Sequence, residues 1–153
     1  MKNKSRLAAV ALGIFALSLG PAFAASWKET SDKGLAIYTL GSPSSGQIKL
    51  VCDPDGVWAD GPSSSGSQFY MLASVNNHPV TADSIEIKTE SGTGGTLKSP
   101  GGAAALASLN KPVWNKLIKA LSGASSITVK SGSQQFSINT SNKTALRCLT
   151  GNS

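Results

Sequence analysis

A chain of 153 residues with 14 basic and 8 acidic side chains, a single histidine and two cysteines is long enough for one sizeable core. The inventory leaves no set of ligands for a closed tetrahedral zinc site once the two cysteines are taken as a disulfide. The lysines are dispersed, without an arginine cluster or a basic-aromatic ladder, so the formal charge of +6 does not point to a nucleic acid.

The chain begins with Lys2, Lys4 and Arg6 ahead of an uncharged run from Leu7 to Leu19, too short to span a bilayer comfortably. Gly20 and Pro21 end that run, and Ala22-Phe23-Ala24 has the small-x-small pattern that signal peptidase requires. Residues 1–24 therefore read as a signal peptide cut after Ala24, with no transmembrane segment left after cleavage. Residues 25–153 read as a single disulfide-closed, β-rich domain. With the leader removed, eleven basic residues face eight acidic ones, and the two signs separate along the chain. All eight acids lie at or before Glu90, whereas residues 91–153 carry seven cations and no acid. A basic half of this kind suits anionic lipid, lipopolysaccharide or an acidic protein surface, and it equally suits a solvated face.

Further along, 34–40 reads as a strand. So does 46–52, where Ile48, Leu50 and Cys52 alternate with Gln47, Lys49 and Val51 and carry Cys52 inward. The same period recurs in 67–75 and 84–89, and 126–131 and 133–138 are further strands. Ser/Gly/Pro turns at 41–46 and 61–66 separate them, and 91–103 is a glycine-rich loop, either a binding loop or tolerated slack. Val113, Trp114, Leu117, Ile118 and Leu121 fall on one face of a helix, with Asn110 as its N-cap and a left-handed Gly123 as its stop. A short C-terminal helix from Ser141 would put Ala145, Cys148 and Leu149 on one face; a terminal strand is the alternative. Together these elements imply an α+β, mainly β class: an antiparallel sheet or sandwich with one packed amphipathic helix.

In an oxidising compartment, two thiols brought together by the fold are expected to pair, so Cys52 and Cys148 are assigned to a disulfide, with two separately buried thiols as the alternative. His78 stands between Asn77 and Pro79 in a turn, and no GxSxG elbow accompanies it. The acidic stretch containing Asp53, Asp55, Trp58 and Asp60 has oxygen ligands around a glycine but lacks the spacing and the bidentate glutamate of a calcium loop. Carboxylates adjacent in one turn are also not fixed across a sugar ring. Asp-Gly turn chemistry accounts for the stretch, with Asp53, Asp55, Trp58 and Asp60 as contact residues if it binds a partner. Lys116 and Lys119, on the polar side of the helix, are the corresponding candidates in the basic half. No residue set calls for a cofactor or a metal.

A tryptophan soon after the cleavage site (Trp27), the strand ending Leu50-Val51-Cys52, the amphipathic helix, and a strand pair leading into Ser141-Asn142-Lys143-Thr144-Ala145-Leu146 resemble small periplasmic proteins of the invasion-associated locus B type. The family's closely spaced cysteines are not present here. The resemblance implies a non-enzymatic, β-rich periplasmic protein without a cofactor. The expectation is an exported binding protein, periplasmic or secreted, for a protein or envelope component, with a host-interaction role within its range. The alternative is a secreted inhibitor of a lysozyme or protease that presents the acidic turn.

Overall fold

The computed structural model describes residues 24–54, 69–92, 94–105 and 111–149. The leader through residue 23, the turn 61–66, the contact candidates Asp55, Trp58 and Asp60, and the helix cap Asn110 lie outside them.

Backbone conformations that few residues tolerate decide where the chain reverses. Lys33 (φ 50°) and Gly34 (φ 85°) join β1 (Lys28–Asp32) to β2 (Leu35–Ser42), with Asp32 opposite Leu35. A three-residue loop leads on to β3 (Gly46–Cys52), and Asn76 (φ 53°) and Asn77 (φ 61°) fold β4 (Tyr70–Val75) back onto β5 (His78–Pro79). Two left-handed central residues give a hairpin turn whose twist matches that of the strands it joins. Asparagine takes this conformation more readily than most residues. The turn residues are thus Asn76 and Asn77, and His78, expected within the turn, pairs with Val75 as the first residue of β5.

The first sheet has the order β1-β2-β3-β4-β5, all antiparallel. The chain then enters a second antiparallel sheet through β6 (Ser84–Thr89) and β7 (Gly94–Lys98). It returns through a single 3-10 turn, Pro100–Gly102, to β8 (Ala103–Ala105), which pairs with β4. Helix α1 (Lys111–Gly123) follows, and β9 (Ser126–Ser131) and β10 (Gln134–Asn139) complete the second sheet in the order β10-β9-β6-β7. The class is therefore α+β and mainly β, as the alternation implied.

One core joins both sheets and the helix. Tyr38, Leu40, Ile48, Leu50 and Met71 come from the first sheet, Ile85, Ile87, Ile127 and Val129 from the second, and Trp114, Leu117, Ile118 and Leu121 from α1. The sheets meet closely where Gly46 lies under the Phe136 ring; a Cβ at Gly46 would collide with that ring.

Three expectations are corrected. The glycine-rich stretch contains a strand, because Gly94 approaches the Ile87 carbonyl more closely than any side chain would allow, so glycine permits the pairing here. Gly123 ends α1 without a positive φ; the helix terminus is met instead by Thr144, whose N–H donates to the Ser122 carbonyl (3.1 Å), and by the Thr140 hydroxyl on the Ala124 carbonyl. Residues 141–149 form neither a helix nor a ladder strand. From Ala145 onward their burial alternates with a period of two: Leu146 and Cys148 point inward, whereas Ala145, Arg147 and Leu149 are exposed. A helix placing Ala145, Cys148 and Leu149 on one face is incompatible with that alternation.

Candidate functional site

The predicted site residues that fall among the described positions gather around the carboxy-terminal segment. Its path is fixed from both ends. At its start, the Ala25 N–H donates to the Asn139 carbonyl (2.7 Å) and the Ser141 N–H donates back to the Ala25 carbonyl (2.8 Å), while the Trp27 N–H donates to Asn142 Oδ1 (3.1 Å). Thr144 then meets the last turn of α1, and four residues later the Cys148 carbonyl accepts from Trp114 Nε1 (2.7 Å), in the first turn. The segment therefore runs beside α1 in the opposite direction.

Cys148 is linked to Cys52, the last residue of β3, in a disulfide with the Cα atoms 4.9 Å apart. The pairing expected from two cysteines is thus present, and it ties together positions 96 residues apart. Closing a loop of that length removes unfolded-state entropy worth about 4 to 5 kcal/mol in the chain-entropy model. Both half-cystines are fully buried, and the Trp114 indole, packed edge-on to Phe69 with 6.3 Å between ring centroids, is buried as well. An indole N–H in such a place needs an acceptor, and the Cys148 carbonyl in the irregular segment needs a donor; each satisfies the other.

Tyr38 does the same for the neighbouring residue. It is fully buried on β2, and its phenolic oxygen accepts the Arg147 N–H (3.0 Å). Burial pushes its hydroxyl above the ordinary value; the Arg147 amide pulls it partly back, and Glu29, opposite Tyr38 on β1, adds to the rise. Neither Tyr38 nor the Trp114 hydrogen bond was singled out from the sequence. An inward tyrosine on an alternating strand was the available signal, but its partner is 109 residues away.

Asp53 follows Cys52 and is 2% exposed, so it presents almost no surface to a partner. Lys116 and Lys119 are exposed on α1, together with Lys111, and Lys143 and Arg147 are exposed on the segment beside it. Among the described acids, Glu29 stands by the Tyr38 hydroxyl, the same atom that accepts the Arg147 N–H, and the Glu90 carboxylate accepts from the Ser125 and Ser126 N–H groups beyond the helix end (3.0 and 3.1 Å). Those two amides hold the Glu90 carboxyl well below the usual range, at about 2. His78 is exposed, and among the described residues no group of three or more His, Cys, Asp or Glu side chains is placed to hold a metal ion. Also among them, no helix is long and apolar enough to cross a membrane.

No protein-family model, curated protein or solved structure matches the chain.

Proposed function

We propose that this protein is exported and works in the periplasm or outside the cell as a non-enzymatic binding protein for a protein or envelope component. The observation that carries this reading is the buried Cys52–Cys148 disulfide, which fastens an otherwise irregular segment into the core. A bond of that kind persists in an oxidising compartment and is rare in the cytosol. The leader pattern of residues 1–24 and the resemblance to invasion-associated locus B proteins support the same reading, and the resemblance extends it to host interaction. With both sulfurs locked in the interior, what the segment and α1 offer to the surroundings is a cationic surface with two exposed aliphatic side chains, which suits binding better than covalent chemistry.

Expression of the full chain in a Gram-negative host, followed by fractionation and thiol alkylation under denaturing conditions, tests this. The expected product begins at Ala25, leaves the cytoplasm and has no alkylatable thiol before reduction. A product that keeps Met1, stays in the cytoplasm and alkylates at both cysteines overturns the proposal.

A further inference from the structure

We propose that the paired outer surfaces of α1 and the carboxy-terminal segment form a docking face for an anionic phospholipid surface. The inference rests on the binding-protein reading and names the partner.

Two independent features meet on these elements. The first is charge. Lys111, Lys116 and Lys119 on the helix and Lys143 and Arg147 on the segment are all exposed, and no acidic residue occurs in 91–153. The inward sides of both elements enter the same core, through Trp114, Leu117, Ile118 and Leu121 on one and Leu146 and Cys148 on the other. Thr144 on the Ser122 carbonyl and the Trp114 indole on the Cys148 carbonyl hold the two elements side by side, so their outward sides are neighbours. Among the described residues, Glu29 stands with Arg147 at the Tyr38 hydroxyl, the Glu90 carboxylate accepts two backbone amides, and Asp53 is buried.

The second feature is apolar. Among the described residues the large hydrophobics left exposed are Val113 (43%) and Leu149 (42%), and both belong to this pair of elements. Val113 lies in the first turn of α1. Leu149 follows Cys148, whose carbonyl the Trp114 indole holds, so both occur towards the same end of the pair.

Exposed aliphatic groups accompanying dispersed lysines match a headgroup layer, where charge is delocalised and shallow apolar insertion is favourable. A protein partner would call for a contiguous apolar or aromatic centre within a polar rim. Phosphate recognition at a point would call for arginine forks, and the face is mainly lysine. The disulfide holds the segment beside the helix, so the face exists before any lipid is met.

The test uses oxidised protein purified after expression of the full chain. It is sedimented with vesicles of phosphatidylcholine alone and of phosphatidylcholine with one-third phosphatidylglycerol, across a salt series. Binding is expected on the anionic vesicles only, weakening as salt rises. Neutralising one lysine is expected to reduce partitioning about five-fold, and the Lys116→Gln/Lys119→Gln variant about twenty-five-fold, with the melting temperature unchanged because both side chains are exposed. Leu149→Ala is expected to weaken binding at every salt concentration. Equal partitioning onto both vesicle types, failure to bind anionic vesicles, a double variant that binds like wild type, or equal retention by soluble polyglutamate each overturns the lipid assignment. Export with an intact disulfide alongside any of these results leaves the binding-protein reading standing; a cytosolic, reduced chain removes that reading instead.

Discussion

Residues 141–149 and the second sheet contribute to the same core, yet they are secured in different ways. In the sheet, β6, β9 and β10 share antiparallel ladders running through six registered pairs between β9 and β10 and four between β6 and β9. The segment has no ladder. It is held by one disulfide, by hydrogen bonds from Ser141, Thr144 and Arg147 and to Asn142 and Cys148, and by burial of Leu146 and Cys148. Stability spread over many equivalent bonds tolerates the loss of one. Stability concentrated in a few unlike interactions does not, so single changes in the segment should be felt more sharply than changes in the sheet.

The disulfide offers the largest test of that contrast. Cys52→Ala/Cys148→Ala is expected to lower unfolding free energy by about 4 kcal/mol, within the range for removing a native disulfide from a small exported domain. Denaturant titration measures the total, and amide hydrogen exchange shows where it falls. Protection should drop first at 144–148, while the amides of β9 and β10 follow only the global loss. A uniform loss of protection across both regions would show that the segment and the sheet are one cooperative unit and would erase the distinction.

Trp114→Phe makes a smaller break in the same place. It keeps a ring against Phe69 but removes the indole donor, leaving the buried Cys148 carbonyl without that partner. An unsatisfied buried acceptor costs about 1 to 3 kcal/mol, and the smaller ring adds to the loss by leaving space. The expected destabilisation is about 2 to 3 kcal/mol by denaturant titration, with the disulfide still formed on alkylation. A loss below about 0.5 kcal/mol, the size of an ordinary surface change, would mean that the hydrogen bond does not help to seat the segment.

This contrast also explains what could be read from the residues in advance. Alternation located β3 at 46–52 and β6 at 84–89 with the bounds observed, because a half-buried strand writes its period directly into the sequence; β9, expected as a further strand at 126–131, also has those bounds. Helical spacing located α1, although Val113, counted on its apolar face, is exposed at the first turn. β1 was missed because all five of its residues are exposed and carry no alternation; its place comes from the edge that β2 offers and from the turn at Lys33-Gly34. β7 was missed because its glycines look like slack until the approach to Ile87 is known. Of the proposed site, the covalent pair followed from cysteine number and the compartment that the leader pattern implies, and Lys116 and Lys119 from helical phase. The partners of Tyr38, Trp114 and Glu90 lie far along the chain, and no local period encodes such pairings.

The smallest effect is expected where the helix end joins the second sheet. Glu90 accepts two successive amides through its two carboxylate oxygens, doing with a side chain what the ladder does with backbone. Glu90→Gln keeps one acceptor and turns an N–H₂ toward the second amide, so a modest fall in melting temperature is expected at neutral pH. The sign of the pH dependence follows from the depressed pKa. A carboxyl held at about 2 in the folded chain, against an ordinary 4.5, contributes stability that is fully present above about 4.5 and lost as pH falls towards 2. Glu86, lowered by its contact with Lys88, titrates in both proteins, so the difference between wild type and Glu90→Gln isolates Glu90. That difference in melting temperature should be constant from pH 7 to about 5 and shrink towards pH 2. A difference that stays level across the acid range would remove Glu90 as a charged cap and leave β9 entered through its backbone ladder alone.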